Sequence, residues 1–329
     1  MKLENADNKA MTSEEFKTVG FRVDQKMAQV IFRDKLYSAQ GRIRIIVQEY
    51  MANARDAHRA AGKSDTPIEV TLPSSLKPEF VVRDFGCGIS PEVVNDIFVV
   101  YGASTKNQSN DMNGGYGIGA KCAFSYVSAF AVTTTVKGIR YIYSAFIDND
   151  GMNQFTLLDT GPATGPDGTE IRIPVKASDI NTLRGWFADI THEWTPRPSV
   201  IGLEASYTEP TLLEQDSNWS LYDNTKSPPF IMQLSPIIVL VDDIPYALNR
   251  VQATEISPEI EDFYDALQES QVICVMRFRI AEITVPPNRE TVDLTPKTKE
   301  AILLTSQMVG KHVIAAGKAK VAAAVTLDN

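Results

Sequence analysis

The sequence lacks the cysteine pattern of a structural metal site. Its three cysteines, Cys87, Cys122 and Cys274, have no metal-ligand spacing, and an odd number cannot all pair within one chain. We interpret them as reduced thiols, as expected for a protein of a reducing cytoplasm.

Long apolar runs and an excess of positive charge are also absent. No apolar segment approaches the ~20 residues that a membrane-spanning helix needs, and the first residues carry acids where a signal peptide has an apolar core. These features predict a soluble protein, or one that is at most peripheral to a membrane. The formal net charge of -9 disfavours a nucleic-acid partner, because a negatively charged protein repels a phosphate backbone.

The order of predicted elements indicates the fold class. A chain of 329 residues with 43% hydrophobic residues can form one large domain or two ordinary ones. Helical patterns come first and strands follow in hairpin succession, separated by turns such as Lys137-Gly138. We therefore expect an α+β fold, with helices on one face of a mixed, mostly antiparallel sheet. A proline-rich break near 195–200 divides the chain into an arm at 1–20, a first domain at 21–198 and a smaller α/β domain at 199–329 that ends in a helix.

The elements themselves are predicted from periodicity and turn residues. Helices are expected at 42–61, after Ser90-Pro91, at 122–127 and from about 296. Strands are expected at 68–72, 80–83, 127–136, 139–147, 154–159, 169–175, 230–241 and 271–284.

The helix at 42–61 carries the first candidate site. Its apolar residues fall within one arc, and Arg44, Gln48, Arg55 and Arg59 fall on the opposite side. Glu49, Asn53 and Asp56, at i, i+4 and i+7, share one edge between these zones. Oxygen-bearing side chains suit Mg²⁺, and a carboxylate can activate a water for attack on a γ-phosphate. Taken alone, the same pattern is more often a solvated helix edge.

Two glycine motifs follow. Asp84, directly after a strand, can accept a hydrogen bond from an amine such as that of adenine, and Gly86 and Gly88 allow the backbone to approach a ring closely. The run from Gly114 to Lys121 leads towards a helix, where free amides and the helix dipole hold phosphate. A tight turn and a flexible loop, respectively, remain the simpler alternatives. The members of the two motifs are Asp84, Gly86, Gly88, Ile89, Gly114, Gly115, Tyr116, Gly117, Ile118, Gly119, Ala120 and Lys121.

In this order, and with Gly168-Thr169 before a later strand, the motifs resemble those of the GHKL (Bergerat-fold) ATPases: gyrase B, MutL, the large heat-shock chaperones and the histidine kinases. The resemblance implies ATP and Mg²⁺ as ligands, Glu49 as the general base, and Asn53 as the Mg²⁺ ligand. It also implies that Asp84 binds the adenine amine with help from Thr169, and that Asp56 supports the adenine side. The loop at 102–119 would then be the ATP lid, with Lys106 at its entry, and 199–329 a transducer-like domain.

A closer similarity is to the rapid-lysis locus A (rIIA) proteins of tailed phages, in VRDFGCGIS, GGYGIGAKCAFSY and VPPNRETVDL. The last stretch also resembles a middle-domain segment of the chaperones, which implies that Arg289 stabilises charge on the γ-phosphate. A surface arginine at a strand end is the alternative. The similarity further implies a phage protein in the host cytoplasm or at the inner membrane, acting as an ATP-gated homodimeric clamp with a phage or host protein partner.

Other functions fit the sequence in part. A nucleotide-gated interaction module without turnover would use the same residues, so the sequence does not separate it from an ATPase. A histidine kinase needs a phospho-acceptor before the ATP domain, yet the histidines are His58, His192 and His312. We interpret each as an ordinary surface or hydrogen-bonded residue. A type II topoisomerase lacks support because the charge balance disfavours DNA, although DNA binding by the second half stays open.

Overall fold

The structure, a computed structural model, describes residues 25–39, 41–101, 117–202, 207–225 and 229–327. Its first half is built on a seven-stranded sheet in the order β5-β4-β3-β6-β2-β1-β7. All neighbours are antiparallel except β1 and β7, which run parallel. The strands are β1 (Glu69–Thr71), β2 (Glu79–Arg83), β3 (Ala129–Val136), β4 (Ile139–Ile147), β5 (Asn153–Pro162), β6 (Gly168–Pro174) and β7 (Ser199–Val200).

The longest helix of this half is α2, and the helix Ile180–Thr191 and the 3₁₀ helix Gly119–Ser125 pack against it. The 20 residues of α2 confirm the helix predicted at 42–61. Ile46, Val47 and Met51 on its apolar arc are fully buried, and this burial drives its packing. The helical segments are α1 (Gln25–Val30) with a π-helical turn at Ile31–Lys35, α2 (Gly41–Ala60), α3 (Pro91–Val93) with a π-helical turn at Val94–Phe98, a 3₁₀ helix at Gly119–Ser125, and α4 (Ile180–Thr191).

A second sheet of five strands follows, in the order β11-β10-β12-β9-β8. Only β10 and β12 are parallel neighbours. Asn249 and Gln252 form a capping box at the start of α6, which satisfies amides that the helix leaves free. The elements are β8 (Thr211–Asp216), β9 (Trp219–Asp223), α5 (Phe230–Gln233), β10 (Ile237–Val241), β11 (Ile244–Ala247), α6 (Arg250–Ile256), α7 (Pro258–Glu269), β12 (Val272–Phe278) and α8 (Pro296–Leu327).

The structure thus has the predicted α+β architecture, with differences in detail. The strand predicted at 230–241 begins only at 237, because 230–233 form α5. The segment predicted as a helix at 122–127 is a 3₁₀ helix that begins at Gly119 and ends at Ser125. The predicted domain boundary falls one residue before β7, which still belongs to the first sheet. Within the described ranges, no helix combines the length and apolar character needed to cross a membrane.

The polar side of α2 faces the second domain. Arg44 is buried, donates to the carbonyl oxygens of Pro245 and Glu290 at 2.8 Å each, and lies over the rings of Trp186 and Tyr246. Burial lowers the pKa of Arg44, although Tyr246, Glu290 and Asp189 favour its charged form. The second domain is therefore held by the same helix that carries the candidate site.

Gln48 and Arg55 extend this interface along α2. The Gln48 amide donates to the Tyr246 hydroxyl at 2.9 Å, and Arg55 pairs with Asp242 at 2.7 Å. Arg59 reaches the same Asp242 at 3.0 Å. All four polar residues that the sequence placed opposite the apolar arc thus contact the second domain.

We expect Arg44→Ala to lower the free energy of unfolding by about 2–4 kcal/mol, because two buried carbonyl oxygens lose their donor. Arg140→Ala is the matched control, since Arg140 pairs with Asp159 on an exposed surface and such pairs contribute at most about 1 kcal/mol. Urea unfolding of both variants measures the difference. Equal effects would show that Arg44 does not hold the domains together.

Candidate functional site

Glu49 lies in the middle of α2, and its carboxylate is buried. Its Oε1 pairs with Nη1 of Arg289 at 3.0 Å, and both side chains are less than a tenth exposed. Burial lowers the pKa of Arg289, but the Glu49 carboxylate, together with Tyr246, Tyr37 and Asp56, outweighs this effect, and the pKa is raised overall. A buried pair of this kind is costly to break from one side, because the remaining charge is left without a partner.

Arg289 comes from the second domain, on the segment between β12 and α8. Its backbone has φ of 49°, in the left-handed region, where a non-glycine residue is strained. The tight turn is closed by a hydrogen bond from the Arg289 amide to the Pro286 carbonyl. Its neighbour Glu290 accepts from the Ser38 amide at 2.6 Å, and Arg44 holds the Glu290 carbonyl. The first domain therefore fixes this turn at Glu290, the residue directly after Arg289.

Glu49 and Arg289 line one small cavity together with the end of the glycine motif. The other lining residues are Tyr37, Gly117, Ile118, Gly119 and Pro287. A methyl group on Gly119 would overlap the Glu49 carboxylate, so only glycine allows the chain to approach this closely. The structure thus brings together a carboxylate, an arginine and a glycine-rich turn that are far apart in the sequence.

Asp84 and Thr169 meet at the ends of two paired strands. β2 and β6 are antiparallel neighbours, and the Asp84 amide continues the pairing by donating to the Thr169 carbonyl at 2.9 Å. Oδ1 of Asp84 accepts from the amides of Gly86 at 2.9 Å and Thr169 at 3.2 Å. Within the described part of the chain, Oδ2 has no hydrogen-bond partner. Burial raises the pKa of Asp84, and the two amide hydrogen bonds oppose that rise.

The turn after Asp84 packs directly on α2. A methyl group on Gly86 would crowd Ala57, four residues after Asn53, and Gly88 has φ of 71° and lies against the Thr135 carbonyl. The Ile89 amide donates to the Thr134 hydroxyl at 2.7 Å. Cys87, between the two glycines, is exposed. The turn is therefore held by α2 on one side and by β3 on the other.

This arrangement agrees with a comparison of sequences. The sequence model of the family described as "Histidine kinase-, DNA gyrase B-, and HSP90-like ATPase" matches residues 38–178. Residues 38–178 are a domain of this GHKL family. The match contains α2, the Asp84 turn and Thr169, and it ends before the segment with Arg289. No curated protein matches the chain, so the closer similarity to the phage rIIA proteins has no support from relatives.

Asn53 and Asp56 lie on the edge of α2 within the GHKL domain. Asn53 is half-buried, and its amide has no hydrogen-bond partner among the residues that the structure describes. Asp56 is buried and lies 3.5 Å from Arg59 of the same helix. Asn53 can thus contact a ligand, whereas Asp56 is positioned inside the protein.

Lys121 has a different place from the one expected. Its ammonium group donates to the carbonyl oxygens of Val100 and Gly117 at 2.7 and 2.8 Å, and it does not line the cavity of Glu49 and Arg289. Burial lowers its pKa to about 8.

The predicted site residues Lys106, Gly114, Gly115 and Tyr116 lie outside the described residues. Ala120 is half-buried and accepts from the Tyr50 hydroxyl through its carbonyl.

Sequence reasoning missed three residues that shape the site: Tyr37, Arg44 and His58. Tyr37 lines the cavity with Glu49, and no motif marks it. Arg44 was placed on the polar side of α2, but its partners lie about 200 residues away. His58, two residues after Asp56, is buried and hydrogen-bonded, which is the second of the two alternatives expected for the histidines, but its link to the Asp84 turn was not predicted.

We expect Asp84→Asn to stabilise the protein at neutral pH. Because burial raises the pKa of Asp84 in the folded state, the ionised form destabilises the fold above that pKa, and the penalty disappears as the pH falls through it. An asparagine can keep both amide hydrogen bonds to its oxygen without the charge. Thermal unfolding at pH 7 should therefore give a higher midpoint for the variant, and the difference should shrink on acidification. A difference that is independent of pH would contradict this account.

Proposed function

We propose that this protein binds Mg·ATP in the GHKL domain and hydrolyses it with the help of the second domain. One observation carries the proposal: Glu49, the glycine turn at 117–119 and Arg289 line a single cavity. Gly119 contributes by leaving room for the Glu49 carboxylate directly beside the glycine turn.

The adenine end of the site is assigned to Asp84 and Thr169. The Asp84 carboxylate uses one oxygen for two backbone amides, which leaves the other to accept a hydrogen bond from an exocyclic amine. Thr169 is buried beside Thr134, with 3.5 Å between their hydroxyl oxygens. A base without an amine at the equivalent position would leave the buried carboxylate without its partner, which is costly.

The phosphate end is assigned to Asn53, Glu49 and the glycine turn. The Asn53 amide oxygen would hold Mg²⁺, which neutralises phosphate charge when bound and prefers oxygen ligands. Backbone amides of a glycine-rich turn suit phosphate oxygens. Glu49 would accept the proton of the attacking water.

Because Glu49 forms an ion pair with Arg289, proton acceptance by Glu49 would depend on where the Arg289 side chain lies. While Arg289 pairs with Oε1 of Glu49 at 3.0 Å, the guanidinium occupies the place next to this oxygen that an attacking water would need. A γ-phosphate offers Arg289 a second anion, and transfer of the guanidinium to it would both stabilise the transferring phosphoryl group and release Glu49. ATP turnover would therefore depend on the position of the second domain.

The first test separates binding from hydrolysis. We expect Asn53→Ala to abolish magnesium-dependent binding of ATP in calorimetry, because the metal loses its protein ligand. Glu49→Gln should still bind ATP but release phosphate about 10²–10⁴-fold more slowly, the usual contribution of a general base. If Asn53→Ala binds Mg·ATP as the wild type does, the assignment of this site is wrong.

A second test concerns the second domain. We expect Arg289→Gln to retain ATP binding and to lose about 10²–10³-fold in the rate of phosphate release, because one donor to the developing charge is removed. Arg279→Gln is the matched control, since Arg279 is exposed and lies at the end of the neighbouring strand. Equal rates for the two variants would exclude Arg289 from the reaction.

A nucleotide-gated module without turnover is the second candidate function. It is favoured by the fact that Glu49 is already paired with Arg289, which would keep the attacking water away from Oε1. In this case wild-type protein would bind ATP, release no phosphate above the Glu49→Gln variant, and still change its oligomeric mass with nucleotide.

The biological setting stays a proposal that rests on the sequence stretches similar to the rIIA proteins. We propose a phage protein in the host cytoplasm, or peripheral at the inner membrane, that controls lysis or counters exclusion. It would act as an ATP-dependent homodimer with a phage or host partner. Mass measurements with and without a non-hydrolysable ATP analogue test the dimer.

A further inference from the structure

His58 is a buried titratable residue that neither end of the proposed site uses. It lies in the last turn of α2 and is 2% exposed. Its Nδ1 is 2.9 Å from the Thr66 carbonyl oxygen, and its Nε2 is 2.7 Å from the Phe85 amide nitrogen. The ring thus connects α2, the loop that follows it and the turn after β2.

These two partners fix the protonation state of the ring. A carbonyl oxygen only accepts, so Nδ1 must carry a proton, and a backbone amide only donates, so Nε2 must be bare. His58 is therefore a neutral imidazole in one tautomer. A second proton on Nε2 would set two N–H donors against each other, so protonation must break the hydrogen bond to Phe85.

The peptide groups of Phe85 determine where Asp84 points. The amide of Phe85 belongs to the peptide bond that joins it to Asp84, and the Phe85 carbonyl accepts from Lys63 at 2.7 Å. The Phe85 ring lies against the His58 ring with 5.9 Å between centroids. His58 and Lys63 thus hold the backbone on the C-terminal side of Asp84, while the Thr169 backbone holds the other side.

We propose that His58 is a positioning residue for the nucleotide base: neutral His58 holds the Phe85 amide so that Asp84 presents its second oxygen to the ligand. This inference rests on the proposed function of the site. Protonation of His58 releases the amide and lets the turn relax, so nucleotide binding weakens on acidification.

Several charged groups face His58, and one of them complicates the test. Asp84 lies beside it, Lys63 belongs to the following loop, and Arg83 at the end of β2 lies over the Phe85 ring. Asp56 and Arg59 are neighbours on α2. Asp84 itself becomes neutral at low pH, which also weakens binding, and its pKa is raised by burial. The terminal phosphate of the nucleotide titrates near pH 6 as well.

The His58→Gln variant separates the effect of His58 on the pH dependence of binding from the effects of Asp84 and the nucleotide phosphate. A glutamine oxygen can accept from the Phe85 amide but takes up no proton, whereas Asp84 and the nucleotide titrate alike in both proteins. We expect the affinity of the wild type for a non-hydrolysable ATP analogue to fall between pH 8 and pH 5.5 by about fivefold more than that of His58→Gln. About fivefold is the ratio that corresponds to one net hydrogen bond. His312→Gln, on α8, should follow the wild type.

Parallel profiles for the wild type and a folded His58→Gln variant would overturn the inference while leaving the proposed function intact. No binding by the wild type at pH 8 would instead overturn both. Nuclear magnetic resonance of ¹⁵N-histidine in the wild type gives a test that does not depend on a variant. The neutral Nδ1–H form of His58 should persist to lower pH when the analogue is bound, and an unchanged titration would contradict the role.

Discussion

The buried ion pair between Glu49 and Arg289 joins the two halves of this protein at the candidate site. Each charge is tolerable in the interior only because the other is 3.0 Å away. The pair forms only if α2 and the segment before α8 keep their relative positions. Arg44, which lies five residues before Glu49 and holds the carbonyl next to Arg289, supplies that constraint. The local chemistry of the site is therefore inseparable from the packing of the second domain.

Each of three sides of α2 makes a different set of contacts, and this explains why apolar, acidic and basic residues alternate along the helix. The apolar side packs on the sheet, one edge carries Glu49 and Asn53, and the remaining polar side binds the second domain. A rotation or shift of α2 would change all three sets of contacts at once. Such a helix is a suitable route for coupling between a ligand and a distant domain, because it is a rigid element with defined contacts at both ends.

The sequence predicted the parts that depend on local patterns. The limits of α2 agree with the prediction to one residue at each end, because its apolar periodicity is strong and uninterrupted. The Lys137-Gly138 turn was likewise predicted, and both residues have the positive φ that a two-residue hairpin needs. The pairing of Asp84 with Thr169 was implied only by the family resemblance, since nothing local connects two residues 85 positions apart.

The parts that were missed depend on long-range contacts or on short elements. α6 and the strands β8, β9 and β11 were not anticipated, because short elements give weak periodicity. α4 and α7, with 12 residues each, are amphipathic and were missed although their pattern was present. The sequence placed Lys121 in a phosphate loop, but burial and two carbonyl oxygens determine its actual position. The left-handed turn at Arg289 and the partners of Arg44 follow from tertiary packing, which a local pattern does not encode.

The distribution of the three thiols has a practical consequence. Burial raises the pKa of Cys122 well above its usual value and that of Cys274 to about 12, so neither offers a reactive thiolate at neutral pH. Cys87 alone is exposed, and it lies between the two glycines of the turn beside Asp84. The natural chain therefore carries a single accessible attachment point for a fluorophore or spin label, next to the residue that we propose to bind the base, without any engineered substitution.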